Sequence, residues 1–382
     1  MAAVVAFATS AWIGFLTIQA ARLHGIAIDQ RGAAYKTHLH KVSRLGGIPV
    51  MTGISTALLL LAWEADRFES PSAFLIIALL PAFAIGVLED VLQSLGSVVR
   101  LVFTMIAAAL GWWLLDTRLT AIEIAAIDRF LAQSVWISFA LTLFAVAGVA
   151  HAVNIIDGCN GLSSFVSMVA LGGIALIAQR VGDDFVTSTA LLGVCAMLGF
   201  FVWNYPLGRL FLGDGGAYVS GLLIALLSIL LVRRNAEVSA WFPALLMAYP
   251  IWETLYSAFR RVVIQRRAAM RPDRLHLHNL VYHRLVRVHL GTGDAVQQSM
   301  RSAVASSYLW GLTLACALAA IAFWNDTGAL QVCSALFALA YHLIYQRLVR
   351  FRAPRVLVLR ESGSRHPAVP EGVTDTDRPT EL

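Results

Sequence analysis

The sequence predicts an all-α, polytopic membrane protein with about eleven transmembrane helices, an outer N-terminus and a cytoplasmic C-terminus. Hydrophobic residues make up 58% of the 382 residues and charged residues only 14%, which is too apolar for a soluble domain. Apolar stretches of about 20 residues, the length that crosses a ~30 Å hydrocarbon core, recur along the chain. Lysine and arginine are also divided unevenly between alternate loops. Together these observations predict the fold class.

The apolar stretches define the elements in order. They fall at roughly 2–21, 45–63, 71–88, 99–115, 134–150, 161–179, 185–203, 215–232, 240–259, 303–323 and 329–346. The segments 121–133 and 204–214 are too short or too interrupted to cross. We expect one transmembrane catalytic domain over residues 1–350. Residues 351–382 should form a cytoplasmic, disordered tail, since its later part is rich in Pro, Ser, Thr and charge.

The basic residues predict the orientation. If the loop after the first span is cytoplasmic, 23 of the 29 lysines and arginines lie on that side, as expected of cytoplasmic loops. The net charge of +6 therefore reflects topology, and no nucleic-acid partner is expected. Five segments bring unusual polar residues to this same side. A pore would distribute polar groups along its depth, so the pattern favours a site at the cytoplasmic interface.

The stretch 151–162, between two apolar runs, is the strongest local signal. It places Asn154, Asp157 and Asn160 three residues apart, so on a helix they share one face. A carboxylate at the end of a span is costly to desolvate, and such groups usually face a watery cavity. Glycines within the stretch allow a ligand or another backbone to come close. The alternative is an ordinary loop between two helices.

Three further acids accompany this stretch. Glu89 and Asp90 close the third span, where one of them can accept a proton or bind Mg²⁺; interfacial acids ending a span are the alternative. Asp214 lies in a Gly-Asp-Gly-Gly run, whose glycines let backbone amides and a metal approach together. The Asp214 carboxylate and the Asn154 amide oxygen are suitable Mg²⁺ ligands, because this ion takes its remaining ligands from water and substrate phosphates.

The first inside loop supplies cationic groups. Lys36, His38 and Arg44 would form a rim over anionic lipid or phosphate. Ordinary positive-inside charge is the alternative explanation for this loop.

The loop after the ninth span is also strongly basic. Arg274, His276 and His278 lie close together there, and basic groups of this kind suit phosphate or nucleotide binding. No further Cys or His stands at zinc spacing, so a structural zinc site is not expected.

Taken together, the motifs resemble the polyprenyl-phosphate N-acetylhexosamine-1-phosphate transferases, a family that includes the MraY- and WecA-type enzymes. The resemblance covers nearly the whole chain. It rests on K-x-H-x5-R-x-G-G at 36–47, the acidic pair at 89–90, N-x-x-D-G-x-[ND]-G-L at 154–162, F-x-G-D-x-G at 211–216 and H-x-H at 276–278.

The resemblance implies an activity and its partners. An N-acetylhexosamine-1-phosphate would pass from a UDP-sugar to a polyprenyl phosphate such as undecaprenyl phosphate, and UMP would leave. The reaction would take place at the cytoplasmic face of the bacterial inner membrane. It would initiate a cell-surface glycan such as O-antigen, exopolysaccharide or cell wall. The sequence does not identify the sugar, and it leaves a homodimer open beside a monomer.

The resemblance also implies roles for individual residues, in four groups. These are Asp214 and Asn154 for Mg²⁺, with Mn²⁺ as an alternative; Asp90, Glu89 and Asp157 for catalysis; Asn160 for the uracil and His276, His278 and Arg274 for the phosphates of the nucleotide sugar; and Lys36, His38, Arg44 and Arg100 for the lipid phosphate.

Three departures from the family pattern suggest a divergent branch. Glu89 stands where the family usually has Asp, and Asn279 replaces one imidazole of a three-histidine motif. The lysine that usually follows the acidic pair by nine positions is Val99, with Arg100 next to it. The competing hypotheses are a transporter or lipid flippase, and a catalytically inactive relative that acts as a scaffold. A transporter would place charged residues within its spans, and the predicted span centres contain few.

Overall fold

The computed structural model describes residues 1–25, 42–64, 71–266, 275–287, 294–350 and 359–360. Its helices are α1 Ala2–His24, α2 Gly47–Glu64, α3 Pro71–Leu92, α4 Ser97–Leu115, α5 Ala125–Leu131, α6 Val135–Ile156, α7 Leu162–Arg180, α8 Asp184–Asn204, α9 Gly213–Arg234, α10 Trp241–Leu246, α11 Ala248–Phe259, α12 Leu277–Arg284, α13 Asp294–Ala322 and α14 Thr327–Val349. A π-helical turn, Arg260–Ile264, follows α11. Two short strands, β1 Val286–Arg287 and β2 Leu359–Arg360, pair in parallel.

Some predicted features lie outside the described residues. Among the predicted site residues these are Lys36, His38 and Arg274. The predicted tail lies outside as well, except for the two residues of β2.

The described part of the chain has the predicted all-α, membrane-spanning character. Nine of its helices are long and apolar enough to cross a membrane, namely α1, α3, α4, α6, α7, α8, α9, α13 and α14. Helix α2 is apolar over Gly47–Trp63 but shorter. These ten helices coincide with ten of the predicted apolar segments, so the fold class is confirmed. The total of eleven crossings and the orientation stay predictions.

The remaining predicted span, 240–259, differs from the expectation. It consists of two helices, α10 and α11, which meet at Met247. Pro250 lacks the backbone N–H that would bond to the carbonyl of Leu246 in a continuous helix. Because a hydropathy profile does not register this missing donor, the apolar run looks unbroken in the sequence.

Polar side chains at the helix starts explain several boundaries. Ser134 accepts a hydrogen bond from Trp136 N at the start of α6, and Asp183 accepts one from Val186 N at the start of α8. Asp326 does the same for α14. Each satisfies a backbone donor that has no partner within its own helix. These boundaries could therefore be placed from local sequence.

Helix α9 lies at the centre of the bundle. It packs against α2, α3, α4, α6, α7 and α8, and nearly every residue from its start to Leu231 is buried. A helix that is apolar on all sides is expected to be enclosed by protein. Helix α14, by contrast, exposes a row of leucines. Anything polar at the start of α9 is therefore held inside the protein.

Glycines let the neighbours of α9 come unusually close to its start. A Cβ built on Gly86 of α3 would lie 2.5 Å from the backbone nitrogen of Gly215. A Cβ on Gly47 of α2 would collide with the backbone nitrogen of Gly216. Such distances leave no room for a side chain. The close packing brings the end of α3 within hydrogen-bonding reach of the first backbone amides of α9.

Candidate active site at the start of helix α9

Two carboxylates, one from the end of α3 and one from the turn after α6, hold the N-terminus of α9. The Oδ1 and Oδ2 atoms of Asp90 accept hydrogen bonds from the backbone N–H groups of Asp214 (2.9 Å) and Gly215 (3.0 Å). Asp157, just after α6, accepts one from the N–H of Gly213. The first N–H groups of a helix have no intrahelical partner and carry partial positive charge. The two acids therefore stabilise this helix start and fix it against α3 and α6.

The Asp214 side chain lies in a cluster of donors. Its Oδ2 is 2.5 Å from Nη1 of Arg100, and its Oδ1 is 3.3 Å from Nη2 of Arg44. The Asn154 side chain hydrogen-bonds to the same carboxylate, and the Tyr218 hydroxyl is 3.3 Å away. The structure thus brings the two predicted metal ligands, Asn154 and Asp214, into direct contact. It also places two of the predicted lipid-phosphate residues beside them.

The two side chains of the acidic pair at the end of α3 contact different parts of the protein. Glu89 does not reach the α9 amides: its Oε2 accepts the N–H of Leu95 at 2.8 Å, and its Oε1 is 3.7 Å from Nη1 of Arg100. Asp90 turns towards α9 and lies 3.7 Å from Nε of Arg44. Both acids are buried, and both accept hydrogen bonds from backbone N–H groups of the chain. Their catalytic roles stay predictions, and the observed contacts are those of residues that position others.

Asp157 lies in the turn directly after α6, close to the predicted metal ligand Asp214. The Ser163 hydroxyl donates a hydrogen bond to its Oδ1. Removal of water from the carboxyl group raises the pKa of Asp157 to about 6, against the lowering effects of Ser163 and Arg44. The nearby Asp214 carboxylate raises this pKa further. A group with such a value changes charge in a physiological range.

The histidines after α11 are held by an acid that the sequence analysis missed. Glu253, in α11, is 1% exposed. Its Oε1 lies 2.8 Å from Nδ1 of His276, and its Oε2 accepts the Tyr341 hydroxyl at 2.7 Å. It also accepts the backbone N–H of Leu277. An acid inside the predicted span 240–259 was the available signal, since a buried carboxylate in such a segment needs a partner.

His278 connects this group to the turn after α6. Its ring stacks on that of His276, with centroids 5.5 Å apart and planes 5° apart. Its Nε2 atom lies against Gly158, where any Cβ would collide with the ring. The absent side chain at Gly158 therefore allows this approach. As a result, both predicted phosphate-binding histidines lie near the turn that carries Asp157.

Asn160 occupies a buried position in the same turn. Its side-chain amide donates to the carbonyls of Pro206 (3.0 Å) and Ser299 (3.3 Å). Its backbone N–H donates to the hydroxyl of Ser302, and its carbonyl accepts from Ser306. The residue therefore ties the turn to the segment before α9 and to α13. Its contact with uracil stays a prediction, and its amide hydrogens are already used within the protein.

The donor set fits a Mg²⁺ ion that shares its ligands with a phosphate. Within the described ranges, no three His, Cys, Asp or Glu side chains are grouped to hold a metal. Mg²⁺ requires fewer protein ligands, since it commonly uses one or two carboxylates together with substrate phosphates and water. Asp214 with the amide of Asn154 supplies such a pair. Arg44 and Arg100 are the cations with which the ion would compete for Asp214.

Comparison with known proteins gives a match over the part of the chain that contains this cluster. The sequence model described as glycosyl transferase family 4 matches residues 72–232, a range that carries Asp90, Asn154, Asp157 and Asp214. The chain is 27% identical to a probable undecaprenyl-phosphate N-acetylglucosaminyl 1-phosphate transferase of Bacillus subtilis (strain 168), over 68% of this chain and 70% of that protein.

Two further relatives are similar over comparable or longer stretches. A decaprenyl-phosphate N-acetylglucosaminephosphotransferase of Mycobacterium leprae (strain TN) is 24% identical over 87% of this chain and 85% of its own length. An undecaprenyl-phosphate alpha-N-acetylglucosaminyl 1-phosphate transferase of Thermotoga maritima is 26% identical over 61% of this chain and 67% of its own. The chain is therefore similar to glycosyl transferase family 4 over residues 72–232, and to polyprenyl-phosphate N-acetylglucosamine-1-phosphate transferases over longer stretches.

Proposed function

We propose that this chain transfers an N-acetylhexosamine-1-phosphate from a UDP-sugar to a polyprenyl phosphate, releasing UMP and initiating a cell-surface glycan. The observation that carries the proposal is the cluster at the start of α9. There, Asp214 meets Asn154 and two arginines at one end of the bundle. The names of the relatives, which specify undecaprenyl and decaprenyl phosphate, support the class of lipid substrate.

The main task of the site is to bring two anionic reactants together. A phosphate monoester has a second pKa of ~6, so the lipid phosphate is largely dianionic at about pH 7 and needs no strong base. Its oxygen attacks the sugar-bearing phosphorus, the bond from that phosphorus to the UMP oxygen breaks, and UMP leaves. Phosphoryl transfer of this kind depends chiefly on positioning and electrostatic stabilisation. Arg44 and Arg100 supply positive charge at the cluster.

The acids fix the geometry of the cluster. Asp90 and Asp157 anchor the first backbone amides of α9, so the Asp214 side chain projects from a rigid helix start. Asp214 and Asn154 would hold Mg²⁺, with Mn²⁺ as the alternative. When bound, this ion supplies charge stabilisation to the pyrophosphate.

The proposal also assigns a membrane face. The chain is a multi-pass membrane protein, and we place it in the bacterial inner membrane with the site towards the cytoplasm. One observation supports this side: most basic residues fall on it under the predicted topology. His276 and His278 then lie where the nucleotide sugar enters.

A transporter or flippase is less well supported. Helix α9 is the most enclosed of the described helices, and its buried side chains from Val219 to Leu231 are apolar apart from two serines. Charged groups of the described site gather at one end of the bundle rather than along its depth. A transport pathway would need polar groups at intermediate depth.

An isotope-exchange assay tests the proposal. The purified chain is incubated with UDP-N-acetylglucosamine, labelled UMP and Mg²⁺, with and without undecaprenyl phosphate. Label should enter the UDP-sugar only when both the metal and the lipid phosphate are present. A panel of other UDP-amino sugars then identifies the sugar. No exchange with any of them would contradict the function, and exchange without lipid would replace direct attack by a covalent enzyme intermediate.

A further inference from the structure

We infer that Glu253 is a positioning residue that holds His276 in the orientation needed to bind the phosphates of the nucleotide sugar. The inference rests on the proposed function and adds a residue from α11, outside the sequence motifs. Glu253 does not itself face the ligand, because its side chain is 1% exposed whereas that of His276 is 13% exposed. The acid therefore acts through the imidazole.

Glu253 is fixed by three donor residues from two helices. His276 and Leu277 stand at the start of α12, and Tyr341 belongs to α14. Together they donate to both oxygens of the carboxylate, at 2.7–3.3 Å. A buried carboxylate that accepts several hydrogen bonds has little freedom to turn. It provides a rigid reference point for the imidazole beside it.

The contact determines which nitrogen of His276 can bind a ligand. If Nδ1 donates its hydrogen to Glu253, a neutral imidazole leaves Nε2 as an acceptor, and a protonated one offers Nε2–H to a phosphate oxygen. Carboxylates that orient ligand-binding histidines in this way have measurable effects on affinity. The geometry points to Nε2 as the phosphate-binding atom.

A second anchor lies on the other side of His276. Arg260 donates to the carbonyl of Leu275 at 3.0 Å, while Glu253 accepts from the N–H of Leu277. The backbone is thus held on both sides of the imidazole. The ring of His278 stacks on that of His276 and contacts Gly158, which is next to Asp157 in the chain. A displacement of His276 would therefore alter the site rather than only the local packing.

The test separates this role from a purely structural one. Glu253→Gln keeps the shape and one acceptor but removes the charge. We expect the KM for the UDP-sugar to rise about tenfold with a much smaller change in kcat. Thr254→Ala is the matched control, because it removes a hydroxyl from the neighbouring residue of the same helix, and that hydroxyl donates to the carbonyl of Pro250. It should leave KM within about twofold of wild type. Equal rises in KM for both variants would overturn the inference.

A double-mutant cycle with His276→Gln gives the second measurement. If Glu253 acts through His276, Glu253→Gln should have no further effect on KM once the imidazole is gone. Additive effects would overturn the inference. If Glu253→Gln does not fold, Glu253→Asp takes its place: the shorter side chain keeps the charge but draws back from the imidazole, and an unchanged KM would contradict the inference. If the wild-type protein showed no exchange of labelled UMP into the UDP-sugar, the proposed function itself would be contradicted. A failure of the proposed function is therefore distinguishable from a failure of the inference about Glu253.

Discussion

Asp90 and Asp214 are linked through the backbone: Oδ1 of Asp90 accepts the N–H of Asp214 at 2.9 Å, while the Asp214 side chain turns to other partners. Asp90 therefore fixes the start of the helix from which the Asp214 side chain projects. This relationship explains why two acids distant in sequence act at one place. It also determines what their substitutions should do.

Asp90→Ala should lower both stability and activity. It leaves the buried N–H groups of Asp214 and Gly215 without acceptors, at a cost of about 1–3 kcal/mol each. Asp90→Asn retains one acceptor and should fall between Ala and wild type in melting temperature. Thermal unfolding of the detergent-purified variants measures the effect. A wild-type melting temperature for Asp90→Ala would contradict the anchoring role.

Glu89 should tolerate substitution better than Asp90. One of its partners, the N–H of Leu95, lies in a partly exposed turn where water can replace the lost acceptor. We expect Glu89→Asp to keep most exchange activity and Glu89→Ala to lose less than Asp90→Ala. The exchange rates of the three variants, compared at equal protein concentration, provide the measurement. The opposite ranking would mean that Glu89 is the more important acid.

The raised pKa of Asp157 predicts that the stability of the protein depends on pH. Its pKa is raised to about 6 from an ordinary 3.8, so the folded protein keeps this proton at pH values where the unfolded chain has lost it. The stabilisation is complete below about pH 4 and is lost as the pH rises to about 6, up to about 3 kcal/mol in all. Asp157→Asn should remove this dependence. If the melting temperatures of wild type and Asp157→Asn changed equally with pH between about pH 4 and 6, the prediction would be contradicted.

Gly158→Ala should weaken binding of the nucleotide sugar. The new methyl group would collide with the His278 ring, which must then move away from the turn. We expect a higher KM for the UDP-sugar with little loss of folded protein. Gly172→Ala is the control, since a Cβ there meets nothing within 4 Å. Equal KM values for the two variants would show that His278 does not need its observed position.

The sequence was sufficient for ten of the eleven predicted apolar segments and for the acids that gather at α9. Hydropathy identifies apolar helices directly, and Asn154 and Asp214 are recognisable because polar groups beside apolar runs are unusual. The contact between them depends on the folding of α6 against α9. The sequence analysis nevertheless predicted that Asn154 and Asp214 lie on the same side of the membrane, and the structure places both at one end of the bundle.

Other features depend on tertiary contacts that have no local signal. The capping of α9 by Asp90 requires backbone approach at Gly86, which is visible only when α3 and α9 are packed together. His276, the partner of Glu253, lies 23 residues further along the chain, and Tyr341 belongs to a still later helix. The internal anchoring of Asn160 likewise depends on α13.

The most direct test concerns Asp214. Asp214→Asn keeps the side-chain volume but removes the charge that meets Arg44, Arg100 and the proposed ion. With Ser220→Ala on the same helix as the control, UMP exchange should fall by about 100-fold or more in Asp214→Asn alone, at unchanged membrane insertion. Near-wild-type exchange in Asp214→Asn would contradict the account.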